Sequence, residues 1–249
     1  KISMKEENQL IYGRHPVIDA IQSGQTIDKV LLQQGTRGEL EKEIRQLSRQ
    51  YGFPVQMVPK EKLNKIVRGN HQGIIGFISM VPYYKLEDVL PGIFERSQIP
   101  LLVLLDSITD VRNFGAIARS AELAGAQALV TSLKGSAQIN ADAMKTSAGA
   151  LSKIPVCRET SIMAAVELLQ LSGIRVLASD LQATKAVFEM DFTQPTAVIV
   201  GSEGEGINQA LLKKADELFL IPQVGTTDSF NVSVATGIIL YEAMRQRIS

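Results

Sequence analysis

The sequence is poor in the residues on which several classes of protein depend. It has no tryptophan, one cysteine and two histidines among 249 residues. One cysteine excludes an intrachain disulfide, and so few thiols and imidazoles leave too few ligands for a protein-bound zinc site or a histidine-dependent triad. We therefore expect no metal site, and we expect the single thiol, Cys157, to be buried and inert in a strand.

The chain also lacks net charge and any apolar run long enough to span a membrane. Its 26 basic residues balance 26 acidic ones. The balance is uneven, because residues 1–98 carry 14 Lys and Arg against 11 Asp and Glu, and the remainder carries 12 against 15. This asymmetry favours an N-terminal part that faces an anion. We recognise no signal peptide and expect a soluble, cytoplasmic protein.

Helical and strand-like patterns alternate in short units over the first 80 residues. The expected helices are His15–Gln22, Glu39–Tyr51 and Lys60–Val67, and the expected strands are Lys29–Leu32, Val55–Val58 and Ile74–Ser79. This alternation predicts a small α/β domain at residues 1–80.

The most basic local stretch runs from Lys60 to Gly73. A helix there would place Lys62, Lys65 and Arg68 on one broad face. That face either contacts phosphates or is an ordinary solvated surface. His71 either stacks on a base or caps the turn before the next strand.

The second half of the chain has the pattern of a larger α/β domain. Residues 81–98 combine turn residues with a short amphipathic piece, and we predict a linker there. In residues 99–249, strands alternate with helices, which is typical of a mostly parallel sheet covered on both faces. The expected strands are Leu101–Leu105, Ala128–Thr131, Ile154–Cys157, Arg175–Ser179, Ala197–Val200 and Leu218–Ile221, and the expected helices are Phe114–Ala124, Ala141–Ala150, Ile162–Leu171 and one after Asn231.

Two polar loops follow the last two predicted strands. The first, Gly201–Gly206, reads GSEGEG, and the second covers Pro222–Ser229 just before the last helix. In open α/β sheets the crevice outside the carboxyl ends of strands is where ligands bind, and glycines let a backbone approach a ligand closely. The glycine spacing does not match the G-x-G-x-x-G of a dinucleotide site, so the pattern predicts a different small-molecule site.

Three segments in order resemble the motifs of the SpoU/TrmH family in the SPOUT superfamily. They are DVRNFGAIAR at Asp110–Arg119, GSEGEGI from Gly201 and IPQVGTTDSFNVSVATG from Ile221. The resemblance covers the chain from Ile99 onward. It implies transfer of a methyl group from S-adenosylmethionine to an RNA ribose 2′-hydroxyl, a trefoil knot and a homodimer formed through the catalytic domains. Two weaker pieces, YGRHPVIDAI and HQGI, resemble the substrate-binding domain of one branch, whose fold is similar to a ribosomal protein.

The resemblance implies a set of catalytic residues. They are Asn113, Arg119, Glu203, Ser229 and Asn231. Arg119 is permanently charged, so it is a poor base. It is better suited to bind a phosphate and to stabilise an alkoxide. Glu203 either orients Arg119 or accepts a proton through water, unless it is a plain surface charge. We also expect Asn113 to cap its helix, and Ser229 or Asn231 to cap the last one.

Cofactor and RNA contacts follow from the same resemblance. The expected cofactor-binding residues are Gly201, Gly206, Ile221, Ser229 and Phe230, with main-chain groups dominant, and the expected RNA-binding residues are Lys62, Lys65, Arg68, His71 and Arg119. Phe230 stands where leucine is commoner in the family, which preserves an apolar contact.

The two-domain layout most resembles the bacterial enzymes that methylate a guanosine of 23S ribosomal RNA. A transfer RNA guanosine is the alternative substrate, and a resistance-type ribosomal methyltransferase is a third possibility. A rival from another class is a non-catalytic RNA-binding factor in ribosome assembly. The presence of all five catalytic positions argues against that rival.

Overall fold

The computed structural model describes residues 10–248, which fold into two compact units. The described residues up to Pro82 form most of the first unit, and the second comprises Tyr83–Ala137 and the residues from Asp142 onward. Among residues 10–248, no helix is both long and apolar enough to cross a membrane.

The first unit is a small α/β unit, as predicted, and its sheet has a fourth strand, Leu10–Tyr12, that was not predicted. Its elements are β1 (Leu10–Tyr12), α1 (Arg14–Gln22), β2 (Ile27–Gln33), α2 (Glu39–Tyr51), β3 (Val55–Val58), α3 (Lys60–Ile66) and β4 (Ile74–Ile78). The strand order is β1-β4-β2-β3; β4 runs antiparallel to β1 and β2, whereas β2 and β3 are parallel.

Successive residues of β2 pack into two separate apolar cores, because side chains alternate between the faces of a strand. Val30 and Leu32 pack with Ile44 of α2 on one face. Leu31 packs with Leu63 of α3 on the other face. The helices α2 and α3 therefore lie on opposite sides of the sheet.

The second unit contains a seven-stranded parallel sheet, which confirms the predicted architecture. Its elements are β5 (Tyr83–Tyr84), α4 (Leu86–Glu95), β6 (Leu101–Asp106), α5 (Val111–Leu123), β7 (Ala128–Ser132), α6 (Ala141–Thr146), β8 (Val156–Glu159), α7 (Ile162–Leu171), β9 (Arg175–Ser179), β10 (Thr196–Gly201), α8 (Gln209–Lys214), β11 (Glu217–Phe219) and α9 (Val232–Arg247). The strand order is β11-β9-β10-β6-β7-β8-β5. The central strands β6 and β10 are almost completely buried. The trefoil knot stays a prediction.

Most of the segment predicted as a linker, residues 81–98, is instead built into the second unit, which begins at Tyr83. Strand β5 pairs in parallel with β8 at the edge of the sheet. Leu86, Leu90 and Ile93 of α4 are buried in the main core. The turn residues suggested a connector, but these three side chains lie at helical spacing and their burial holds the segment against the sheet.

Two helices in the second unit begin or end at residues other than those predicted. Helix α5 begins at Val111, since Asp110 accepts hydrogen bonds from the backbone N–H groups of Arg112 and Asn113 at 2.9 and 2.8 Å. The expectation that Asn113 caps this helix is therefore wrong. Helix α6 ends at Thr146, because Ala148 and Gly149 adopt left-handed backbone conformations that a helix cannot continue through.

The last helix is tied to the amino ends of the central strands by one side chain. The guanidinium of Arg247 donates hydrogen bonds to the carbonyl oxygens of Ile99, Pro100, Phe192 and Gln194 at 2.8–3.1 Å. Burial lowers the pKa of this arginine. Four carbonyl acceptors compensate for that desolvation, so the end of α9 has a defined position.

Cys157 lies in β8 and is fully buried, as expected. Burial, with a smaller effect of Glu159, raises the pKa of its thiol to about 12. A thiol that stays protonated at neutral pH is a poor nucleophile, so the prediction that Cys157 is structural is confirmed.

Candidate active site

A cavity of about 420 Å³ opens at the carboxyl ends of β9, β10 and β11. Its walls come from residues 179–182 after β9, the loop Gly201–Gly206 after β10, residues 221–230 and the start of α9. The volume lies within the range of small-molecule sites. All five predicted cofactor-binding residues line it: Gly201, Gly206, Ile221, Ser229 and Phe230.

The lining is acidic. Four acidic residues, Asp180, Glu203, Glu205 and Asp228, line the cavity, and among the described residues no Lys, Arg or His lines it. Val200, Ile221 and other apolar side chains cover the remaining wall. An acidic cavity with an apolar wall suits a ligand that combines a flat ring with positive charge.

The loop Gly201–Gly206 depends on glycine for its shape. A Cβ atom on Gly201 would lie 2.2 Å from the carbonyl carbon of Gly206, which is far inside van der Waals contact. The N–H of Gly206 donates to the carbonyl of Ser202 at 3.0 Å, and Gly204 and Gly206 have φ angles of 87° and 69°. The chain thus folds back on itself directly after β10, with its backbone exposed to the cavity.

Glu203, at the tip of this loop, is held by two asparagines from separate helices. Its Oε1 atom accepts hydrogen bonds from the Nδ2 groups of Asn113, at 3.1 Å, and of Asn231. The Nδ2 group of Asn231 also donates to Oδ1 of Asn113 at 3.1 Å. We call these three side chains the Asn–Glu–Asn cluster. It joins three of the five predicted catalytic residues, although they are far apart in the sequence.

Asn231 has a second role at the start of α9. Its Oδ1 atom accepts hydrogen bonds from the N–H of Ser233 at 3.0 Å and, less closely, of Val234 at 3.4 Å. Because Oδ1 caps the helix, Nδ2 must point away from it, toward Glu203. The prediction that Ser229 or Asn231 caps the last helix is confirmed for Asn231, while Ser229 lies exposed on the cavity wall.

Arg119 lies apart from this cluster. It is exposed on α5, it does not line the cavity, and within residues 10–248 it makes no hydrogen bond or ion pair. Within the described residues Glu203 does not contact Arg119, and its Oε1 atom is bonded to the two asparagine amides instead.

Sequence reasoning missed two parts of the site. Asp180 and its neighbours follow β9, whose carboxyl end is next to that of β10, so the rule used for the other loops would have indicated them. Asp106, at the end of β6, is buried and its Oδ2 accepts a hydrogen bond from the N–H of Asn208 at 2.8 Å. This bond fixes the far end of the glycine loop to the central strand.

In the first unit, the predicted RNA-binding residues differ in their exposure to solvent. Lys62, Lys65 and Arg68 are all exposed, but α3 ends at Ile66, so Arg68 is not on the helix as predicted. His71 is buried: Nδ1 accepts from the N–H of Gly73 at 3.0 Å, and Nε2 lies 2.8 Å from Oδ1 of Asn64. The ring therefore caps the turn, which is the second of the two roles expected for it, and its burial leaves no face open for a base.

Comparison with known proteins places this geometry among RNA methyltransferases. The model described as "SpoU rRNA Methylase family" matches residues 100–241, and the model "RNA 2'-O ribose methyltransferase substrate binding" matches residues 10–84. The chain is 30% identical to the putative TrmH family tRNA/rRNA methyltransferase YacO of Bacillus subtilis, over 98% of both chains. It is 34% identical to the 23S rRNA (guanosine-2'-O-)-methyltransferase RlmB of Photorhabdus laumondii, over 97% of this chain and 100% of the relative.

A solved structure supports the same assignment. The chain is similar to the SpoU methyltransferase AviRb of Streptomyces viridochromogenes in complex with the cofactor AdoMet, with a TM-score of 0.61 and 28% identity. The match covers 96% of this chain and 90% of that one.

The close approach of Gly201 to Gly206 leads to a first prediction. We expect Gly201→Ala to weaken S-adenosylmethionine binding at least tenfold, because the added methyl group displaces the loop backbone. Isothermal titration calorimetry measures this effect. Gly225→Ala is the matched control, since its added methyl group meets nothing within 4 Å and its φ is not left-handed. Equal affinities of the two variants would contradict the role of this turn.

The two roles of Asn231 can be separated by substitution. Asn231→Ser keeps a helix-capping oxygen but removes the amide that reaches Glu203, so we expect stability within a few tenths of a kcal/mol of wild type and slower methyl transfer. Asn231→Ala removes both functions and should also lose about 1 kcal/mol of stability. Thermal unfolding and methyl transfer of both variants give the comparison. If the Ser variant transfers methyl groups at the wild-type rate, the contact with Glu203 has no catalytic role.

Proposed function

We propose that this chain, which belongs to the SpoU family of S-adenosylmethionine-dependent RNA ribose 2′-O-methyltransferases, methylates a guanosine of 23S ribosomal RNA. Support for the guanosine and the RNA comes from the relative in Photorhabdus laumondii, which aligns over nearly the whole of both chains. Transfer RNA is the competing substrate, since the relative in Bacillus subtilis is named for both RNA classes.

The observation that carries the catalytic proposal is the acidic cavity beside the Asn–Glu–Asn cluster. When bound, S-adenosylmethionine supplies a methyl group on a positively charged sulfur, together with an ammonium group and an adenine ring. The carboxylates of the lining suit its positive charges, and the apolar wall near Ile221 and Phe230 suits its ring. The residues present therefore fit the cofactor.

Glu203 is the residue that we propose to receive the hydroxyl proton. The asparagine amides bind only its Oε1 atom, and Oε2 makes no hydrogen bond within residues 10–248. The carboxylate is thus fixed in direction with one oxygen open. A fixed acceptor can take the proton of a ribose 2′-hydroxyl, directly or through water, and so make that oxygen a stronger nucleophile.

Arg119 is proposed to contact the RNA. It lies six residues beyond Asn113 on α5, or about 9 Å along the helix axis. Its guanidinium is charged, exposed and without a partner in the described part of the chain. These properties suit a phosphate contact that stabilises negative charge as the hydroxyl proton leaves.

We also propose that the chain forms a homodimer through its second unit. Val234, Ile238 and Tyr241 follow one another at helical spacing on α9; Val234 is 50% exposed, Tyr241 is 63% exposed and Ile238 is half-buried. An apolar stripe at this spacing suits burial against a second copy.

Sedimentation velocity should show a dimer, and Tyr241→Glu should dissociate it. The cytoplasmic location stays a prediction.

The substrate is tested by methyl transfer from labelled S-adenosylmethionine to separate pools of unmodified ribosomal and transfer RNA. We expect label in 2′-O-methylguanosine from 23S ribosomal RNA after nucleoside digestion. Label in transfer RNA alone would keep the chemistry and replace the substrate. Cofactor binding without transfer to either pool, or to assembled ribosomal subunits, would support a non-catalytic RNA-binding factor.

Substitution of Arg119 tests its role separately. We expect Arg119→Ala to lower methyl transfer about 100-fold or more, because a charge that stabilises the transition state is lost. S-adenosylmethionine affinity should stay near that of wild type. Arg112→Ala is the matched control, since Arg112 is another exposed arginine of the same helix. Unchanged turnover in the Arg119 variant would remove this residue from the mechanism.

A further inference from the structure

An exposed tyrosine, Tyr12, stands on the face of the first sheet that α3 covers. Tyr12 pairs with Ile75 of β4, and Ile75 pairs with Leu31 of β2. Directly paired residues point to the same side of a sheet, so Tyr12 lies on the side where Leu31 packs against Leu63. Tyr12 is the first residue of YGRHPVIDAI, the segment that resembles the substrate-binding domain of one branch of the family. That resemblance alone gave this tyrosine no role.

The ring of Tyr12 rests against the loop that follows α3. A Cβ atom on Gly69 would lie 3.0 Å from both Cε2 and Oη of Tyr12, so the backbone of Gly69 touches the ring. The residue is nevertheless 42% exposed. An aromatic ring that is supported by backbone and open to solvent is already positioned for a flat ligand, with little entropy to lose.

Positive side chains lie on the segment that contacts this ring and on the same face of the sheet. Arg68 directly precedes Gly69, and Lys65 lies one turn earlier, both exposed. On the same sheet face, the ammonium of Lys29 lies 4.7 Å from the ring centroid of Phe77. Burial lowers the pKa of Lys29, and nearby Lys62 lowers it further, against an opposing effect of Asp28. The cations Lys29, Lys62, Lys65 and Arg68 outnumber the two acidic residues nearby, Asp28 and the exposed Glu61 of α3. The surface therefore favours the binding of a polyanion.

We propose that Tyr12 is a stacking residue for an unpaired base of the substrate RNA, whose phosphates contact Lys62, Lys65 and Arg68. This inference rests on the proposed function, because it assumes that the chain binds RNA. An unpaired base is the required partner, since paired bases are already stacked within a helix and present no free face. Stacking on an aromatic ring tolerates any base, so Tyr12 would contribute affinity, with sequence selection left to other contacts.

The test uses the full chain and a single-stranded RNA of about twelve nucleotides that contains one 2-aminopurine, a length within the usual site sizes. The fluorescence of 2-aminopurine falls when it stacks on an aromatic ring. Tyr12→Leu keeps an apolar side chain against Gly69 but has no aromatic face, whereas Tyr12→Phe keeps the face. Tyr51→Leu is the matched control, because Tyr51 is 45% exposed at the end of α2, on the opposite side of the same sheet.

We expect Tyr12→Leu to bind the RNA roughly 5- to 100-fold more weakly and to lose the quenching. Tyr12→Phe and Tyr51→Leu should both behave as wild type. If Tyr12→Leu binds and quenches as wild type does, the inference is overturned. Weakened binding by Tyr12→Phe as well as Tyr12→Leu, with quenching unchanged, would also overturn it and indicate a hydrogen-bonding role.

Methyl transfer by wild type in the same preparation separates this inference from the proposed function. Transfer to ribosomal RNA together with unaltered binding by Tyr12→Leu overturns the stacking role and leaves the enzyme assignment intact. Quenching that depends on Tyr12, without any methyl transfer, supports the stacking role and counts against the enzyme.

Discussion

The site depends on one carboxylate held by two amides. Glu203 lies on a loop that glycine backbone alone can form, since Gly201 and Gly206 touch. At its tip the loop is held by hydrogen bonds from Asn113 of α5 and Asn231 at the start of α9. At its far end Asp106 holds Asn208 to the central strand. Asn231 also caps α9, so the helix that carries the last motif and the loop that carries the carboxylate are positioned by the same side chain. The network is specific, although it is exposed, because each amide has one orientation that satisfies both of its partners.

Charge is divided within the second unit in a way that suits two ligands of opposite sign. The cavity has four carboxylates and, in the described part of the chain, no basic lining residue. Arg119 is exposed on α5, outside the cavity wall. The RNA contact proposed for Arg119 would therefore lie outside the cavity that suits a cationic cofactor. The near-zero net charge of the whole chain conceals this division, which is why composition alone carried little information about the ligands.

Periodicity predicted the regular elements well and the side-chain contacts poorly. Helices α2 and α7 have the predicted limits, since each apolar face is read directly from spacing. The cap of α5 was placed three residues late, because Asp110 and Asn113 are both good capping residues and only the fold shows which one is used. The burial of His71 depends on Asn64 and Gly73, whose positions no local pattern reveals. Likewise, the contact between Glu203 and the two asparagines spans 90 and 28 residues, and only the resemblance had grouped them.

The most direct test is the crystal structure of the protein with S-adenosylmethionine. Our expectation is ligand density in the cavity between the Gly201–Gly206 loop and Phe230, with Glu203 still bonded to Asn113 and Asn231 and its second oxygen facing the ligand's methyl side. Ligand density elsewhere on the chain, or a bound state in which Glu203 has left both asparagines, would contradict it.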